Sequence, residues 1–173
     1  MTFQTQSKDL AFQLSEKLKM SGKKIALAES CTGGLVAKLL TDMPGSSAFF
    51  ECGIVSYSNR IKTEILGVDK SVIDKYTVVS PEVAMEMAMR VRNLAGADFG
   101  IGITGVAGPG SDGEHPEGEI YVAFADSKNV FVRALNTKTE DEREYNRYYA
   151  AINALEMAIE FIENVDIIYR NSL

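Results

Sequence analysis

Leucines at 10, 14 and 18 recur at every fourth position among polar residues, with Ser7 ahead of them and Gly22 behind. That spacing puts one apolar stripe on a helix and predicts it over about 7–20. The apolar run at 24–28 then reads as a first strand. Apolar residues at 35, 36, 39 and 40 give a second helix, stopped before the turn cluster Met43-Pro44-Gly45-Ser46-Ser47. Phe49 to Tyr57, rich in aromatic and β-branched residues, reads as a strand broken by Ser58-Asn59-Arg60. Short helical pieces follow over Ile61–Leu66 and Lys70–Lys75. Ser80-Pro81 caps a longer helix that carries Val83, Ala84, Met87, Ala88, Val91, Leu94 and Ala95 on one face, with Gly96 as its stop. Met85, Met87 and Met89 in this helix read as packing, since methionine fills irregular gaps.

Phe99–Thr104 and Glu119–Asp126 have the pattern of buried strands. Val130–Leu135 returns after the polar turn Ser127-Lys128-Asn129 and completes a hairpin. Thr139-Glu140-Asp141-Glu142 has capping-box spacing ahead of a long final helix striped by Tyr145, Tyr148, Ile152, Leu155, Ile159 and Ile162. The order of elements implies an α/β fold, a three-layer α/β/α sandwich with a mixed, mostly parallel sheet of about five strands. Residues 1–173 show no internal repeat or linker and are expected to form a single domain. In such sheets ligands sit outside the carboxyl ends of the strands, which places the 29–34, 57–62 and 104–110 loops around one cleft.

With 24 acidic and 18 basic residues the net charge is −6, and no Lys/Arg run stands out, which argues against a general nucleic-acid surface. No apolar run approaches the roughly 20 residues of a membrane span, and the first residues lack the charged and apolar regions of a signal peptide. A cytoplasmic protein with no membrane partner is the expectation. Cys31 and Cys52 are the two cysteines and His115 the one histidine. These are too few for a zinc cage or a disulfide framework, so neither a metal nor a cofactor is expected, and chemistry falls to hydroxyls, lysines, arginines and carboxylates.

The most informative segment is Glu29-Ser30-Cys31-Thr32-Gly33-Gly34 between the first strand and second helix. Glycines permit close approach to a ligand, and a helix start offers unpaired N–H groups to an anion or a developing oxyanion. From the segment alone, an active site and a mere helix cap are equally good readings. Gly100-Ile101-Gly102-Ile103-Thr104-Gly105 matches G-x-G-x-x-G, but the glycines fall inside a strand and Pro109 blocks the helix that should follow. They mark close approach of another backbone or ligand rather than a dinucleotide site. Ser21-Gly22-Lys23-Lys24 matches S-x-x-K but sits in a turn. A Ser-His-Asp triad needs the loop bearing His115 to fold over the site. Lys62 offers another base: buried near Tyr57, it would lose charge by desolvation and accept the proton of Ser30. An exposed Lys62 pairing with Glu64 or Asp69 is the competing reading. Cys31 rivals Ser30 as nucleophile, because a helix N-terminus lowers a thiol pKa, although alternation along an extended strand points the two apart.

Taken together, Glu29 to Gly34, Pro44-Gly45-Ser46-Ser47, Tyr57-Ser58-Asn59 with Lys62, Val79-Ser80 and Gly102 to Pro109 resemble the CinA C-terminal domain, the nicotinamide-nucleotide amidohydrolase family. The resemblance runs from about residue 7 to 163 and suggests the stand-alone form, without an added N-terminal domain. It implies hydrolysis of the carboxamide of nicotinamide mononucleotide to nicotinic acid mononucleotide and ammonia, without metal. Carried onto matching positions, Ser30 becomes the nucleophile, Lys62 its base and Tyr57 the proton relay, through a nicotinoyl ester on Ser30. Substrate contacts are expected from Cys31, Thr32, Gly33, Gly34, Ser47, Thr104, Gly105 and Arg143. The family also implies a homodimer. Arg143 and Arg147, one turn apart, form either a solvated face or a surface that meets a second subunit and completes a phosphate site. The 110–118 segment is shorter and more acidic than in relatives, and Asp112, Glu114 and Glu117 there would repel a phosphate if the loop closed over it. This keeps two alternatives open: an amidase for another small amide, or a nucleotide-binding module without chemistry.

Overall fold

The computed structural model describes residues 2–137 and 142–170. Helix α1 (Phe3–Ser21) begins earlier than its leucine spacing implies, because Thr2 is the cap, accepting from Thr5 N at 3.2 Å. Ser7 is buried inside the helix and donates to Gln4 O at 3.1 Å. Strands β1 (Ile25–Glu29), β2 (Phe50–Val55) and β3 (Phe99–Gly105) alternate with α2 (Leu35–Thr41), α3 (Asn59–Glu64), α4 (Lys70–Tyr76) and α5 (Pro81–Ala95). The antiparallel pair β4 (Glu119–Ala125) and β5 (Val130–Asn136) and the long α6 (Arg143–Arg170) complete the chain. Strand β2 is shorter than its composition suggests, and Ser58 starts α3 as its cap, accepting from Ile61 N at 3.3 Å. Of the capping-box residues, 139–141 lie outside the described residues.

The sheet order is β2-β1-β3-β4-β5, with β2, β1 and β3 parallel and the last two pairings antiparallel. Alternation along β1 and β3 decides how the layers pack. Ile25, Leu27, Ile101 and Ile103 face α1, α2 and α6, where Leu14, Leu18, Leu40 and Leu155 fill the larger core. The opposite face carries Ala26, Ala28, Gly100 and Gly102, and α5 lies against it with Val83, Met87 and Val91 buried. A Cβ on Gly102 would meet Ala88 N at 2.6 Å and collide with Ala84 O. The strand glycines therefore admit the α5 backbone, as their position inside a strand implies. Helices cover both faces, giving the three layers. The carboxyl ends of β1, β2 and β3 share one edge, where the 30–34, 56–58 and 106–118 segments meet.

Candidate active site

The turn after β1 is built around a buried carboxylate. Glu29, 1% exposed, accepts from Gly34 N (3.0 Å) and Val36 N (3.2 Å) on one oxygen and from Ala37 N (2.8 Å) on the other. The α2 N-terminus, expected to receive an external anion, is thus occupied by the chain's own charge, which its dipole and N–H groups stabilise. Gly33 N closes back on Ser30 O at 3.0 Å, and Ser30 N donates to Ile103 O at 3.0 Å. Gly33 and Gly34 take left-handed φ values of 60° and 90°, which most side chains resist, so the turn needs glycine at both positions.

Into this turn comes Lys62 from α3. The side chain is 1% exposed, and its Nζ lies 3.0 Å from Ser30 Oγ, 2.7 Å from Ser56 O and 3.5 Å from Tyr57 O. Glu64 pairs with Arg60 and Asp69 caps the first turn of α4, so neither neutralises Lys62. Burial without a carboxylate lowers the ammonium pKa to about 8, with nearby Cys31 opposing the shift. As a neutral amine Lys62 has two N–H groups for the carbonyls of Ser56 and Tyr57 and a lone pair for the Ser30 hydroxyl. Cys31 behaves opposite to expectation: burial pushes its thiol up to about 12, outweighing the backbone N–H groups near its sulfur. It remains a thiol near neutrality and a poor rival to Ser30.

A cavity of about 250 Å³ opens over this pair, lined by Ser30, Cys31, Tyr57, Lys62, Thr104, Gly105, the 106–112 segment and Arg143, with Asn59, Val78 and Val79. Thr104 is buried and donates to Val78 O at 2.8 Å, tying β3 to the segment ahead of α5. The 106–118 segment folds back on itself. Asp112 accepts from Glu114 N and His115 N, while Glu117 accepts from Gly110 N, Glu142 N and Asn146 Nδ2. Glu117 is therefore turned to the start of α6 rather than toward an incoming anion. His115 joins Thr77 Oγ1 at 2.7 Å and Glu119 at 3.2 Å and has no contact with Ser30, which removes the triad reading.

Helix α6 supplies the remaining wall. Arg143 donates to Gly108 O and, at 3.2 Å, to the Tyr57 hydroxyl, and Arg147 donates twice to Thr32 O, at 3.2 and 2.7 Å. Both arginines thus bond to the site loops within one chain, Arg143 with an exposed side chain and Arg147 half-buried. Tyr57, 60% exposed, holds its phenol on Arg143 rather than on Lys62 or Ser30.

The structure brings together Ser30, Cys31, Tyr57, Lys62, Thr104, Gly105 and Arg143 at one cavity. Thr32, Gly33 and Gly34 shape the turn behind it. Ser47 does not line it, because the short 3₁₀ turn Ser46–Ala48 precedes β2 and so lies at the amino edge of the parallel strands. Sequence reasoning assigned no part to Glu29, although a carboxylate ending an otherwise apolar strand was a visible signal. Asn146, which donates to Ala107 O at 3.1 Å, left no such signal. Among the described residues no group of three or more His, Cys, Asp or Glu is placed to hold a metal ion, and no helix is long and apolar enough to cross a membrane.

A family model described as the CinA C-terminal domain matches residues 7–162. A nicotinamide-nucleotide amidohydrolase PncC of Enterobacter agglomerans is 42% identical over 158 residues, 90% of this chain and 96% of that protein. A CinA-like protein of Desulfovibrio desulfuricans is 46% identical over 144 residues, 82% of this chain but 34% of that longer protein. Of solved structures, a CinA superfamily protein from Klebsiella pneumoniae superposes with a TM-score of 0.86 at 27% identity, covering 91% of this chain and 98% of that one.

Proposed function

We propose that this chain, which belongs to the CinA C-terminal domain family, hydrolyses the carboxamide of nicotinamide mononucleotide with Ser30 as nucleophile, Lys62 as base and Tyr57 as proton relay. One observation carries the reading: a buried lysine, with a pKa of about 8, stands 3.0 Å from a serine hydroxyl at the floor of a cavity. The relative from Enterobacter agglomerans, named for this activity, supports the substrate.

In the proposed reaction the neutral Lys62 amine takes the Ser30 proton as Oγ attacks the amide carbon. The N–H groups of Cys31 and Thr32 lie toward the Cys31 sulfur, a weak acceptor, and are the proposed donors to the tetrahedral oxyanion. The C–N bond then breaks, and Tyr57, turned inward from its bond with Arg143, passes the proton from Lys62 to the departing ammonia. Water, deprotonated by Lys62, attacks the nicotinoyl ester, the proton returns to Oγ, and the acid leaves. A cavity of about 250 Å³ is smaller than the roughly 300–1,000 Å³ that encloses a drug-sized ligand. The pyridine carboxamide enters, while ribose and phosphate extend toward the rim and Arg143.

The test is release of ammonia and nicotinic acid mononucleotide by purified protein in chelator, wild type beside Ser30→Ala. Release by wild type alone is the expected result, and equal release by both proteins overturns it. Faster turnover of a phosphate-free amide than of the nucleotide favours another small amide as substrate, a reading to which Asp112 at the cavity lends weight.

A further inference from the structure

We propose that Arg147 is a positioning residue for the nucleophile, acting through the Thr32 carbonyl and not through the substrate. The inference rests on Ser30 being the nucleophile of the reaction proposed above.

The peptide unit between Thr32 and Gly33 is held at both ends. Its carbonyl accepts from Arg147 Nε (3.2 Å), Arg147 Nη2 (2.7 Å) and Leu35 N (3.2 Å). Its N–H, on Gly33, donates to the carbonyl of Ser30 itself at 3.0 Å. Any rotation of this peptide therefore moves the Ser30 carbonyl and the two N–H groups proposed to receive the oxyanion. A left-handed φ of 60° at Gly33 makes the turn one that a free chain leaves readily. To the local bonds of Gly33 N, Leu35 N and Glu29, a side chain from 115 residues away adds two more.

The choice of residue fits this role better than a solvated or ion-paired one. Arg147 stands one turn after Arg143 on α6, and like charges at that spacing disfavour each other. Among the described residues it forms no ion pair that would offset that cost, whereas Arg60, Arg90 and Arg133 each meet a glutamate. Two N–H groups converging on one carbonyl use the planar fork of guanidinium, a geometry that the point charge of lysine does not reproduce. Arg147 also stands outside the catalytic cavity. It lies behind the turn, in a separate depression of about 380 Å³ with Leu35, Arg143, Glu144 and Tyr148.

A positioning role and direct binding of the substrate phosphate make different demands on kinetics. Arg147→Met and Arg147→Lys are compared with wild type for kcat and KM on nicotinamide mononucleotide and on nicotinamide riboside, which lacks the phosphate. Ser30 labelling by a fluorophosphonate, followed by mass spectrometry, reports the nucleophile independently of the amide. Arg147→Met is expected to lower kcat by about ten- to a hundredfold, the scale of a displaced reacting group. KM stays unchanged, both substrates fall by the same factor, and labelling slows in parallel. Arg147→Lys recovers part of the loss, and the pH midpoint of kcat/KM stays near that of Lys62. A rise in KM confined to the phosphorylated substrate overturns the proposal in favour of a phosphate ligand, and unchanged kcat with unchanged labelling overturns it outright. If wild type labels at Ser30 yet releases no ammonia, the substrate assignment fails and labelling of the variants alone decides. If wild type does not label, Ser30 is not an activated nucleophile and the proposal falls with it. Should Arg147→Met not fold, Arg147→Lys is read by the same kinetics and labelling, and wild-type values in both overturn the proposal.

Discussion

Replacing Lys62 by methionine removes the charge and keeps the volume, so it separates chemistry from stability in one variant. In the folded protein burial holds the amine pKa near 8, against 10.5 for an ordinary lysine. Between these values the unfolded chain binds a proton that the folded chain does not, so stability rises with pH across that window. Below pH 8 the fold bears the full cost of burying the charge; above 10.5 the cost is gone. At about 1.4 kcal/mol for each tenfold change in proton affinity, the depression amounts to about 3 kcal/mol. Lys62→Met carries no such dependence. The unfolding free energy of wild type minus that of Lys62→Met should therefore increase by about 3 kcal/mol from pH 7 to 10.5. Background titrations common to both proteins cancel, and Cys31, pushed up to about 12, stays a thiol in the fold throughout. Urea denaturation followed by circular dichroism at half-unit pH steps measures the difference. In parallel, kcat/KM of wild type should rise about tenfold per pH unit below 8 and level above it, as a neutral-amine base requires, while Lys62→Met stays inactive at every pH. Parallel stability curves together with a flat rate profile from pH 6 to 9 would refute the assignment of Lys62 as a buried base.

Two further expectations concern the scaffold. Glu29→Gln leaves one acceptor oxygen and an N–H₂ group facing three backbone N–H donors, and should lower unfolding free energy by about 2–4 kcal/mol; an unchanged urea midpoint would show that the carboxylate does not hold the α2 terminus. Gly102→Ala drives a methyl into the α5 backbone at Ala84 and Ala88, and overpacking of that kind costs about 1–3 kcal/mol. A thermal melt unaltered by this substitution would mean that α5 and β3 are not in the close contact described.

Much of the architecture was legible because periodicity reports burial locally. Leu10, Leu14 and Leu18 announce α1, and the Val83 to Ala95 face announces α5, without help from distant residues. Element ends were less legible: Ser7 stands where a cap suits the leucine spacing, yet it packs inside the helix and Thr2 caps it instead. Ser30 and Lys62 were both readable as reactive types, but their meeting depends on parallel pairing of β1 with β2, which brings the loop after one strand beside the helix after the other. Burial of Lys62, and with it the lowered pKa, is a property of that pairing and of no local pattern. The Cys31 thiol illustrates the converse. A helix start argues for a lowered pKa, yet that terminus is satisfied by Glu29 and the sulfur lies in the core, so desolvation prevails.

Occupation of the α2 terminus by Glu29 constrains how a nucleotide can sit in the proposed enzyme. Were those N–H groups free, the helix start would compete for the substrate phosphate and draw the wrong end of the molecule toward Ser30. With three of them bonded to a buried carboxylate, the terminus presents no net positive end and adds a fixed negative charge beneath the turn. With Lys62 in the neutral form that the proposed reaction requires, no cation at the floor offsets this charge, and a phosphate is repelled from it whereas a neutral carboxamide is not. The counter-charge available to it is Arg143 at the rim, an exposed cation without a carboxylate partner among the described residues. In the proposed enzyme, amide inward and phosphate outward is the orientation that would put the scissile carbon over the Ser30 hydroxyl, and Glu29 would disfavour the reversed one.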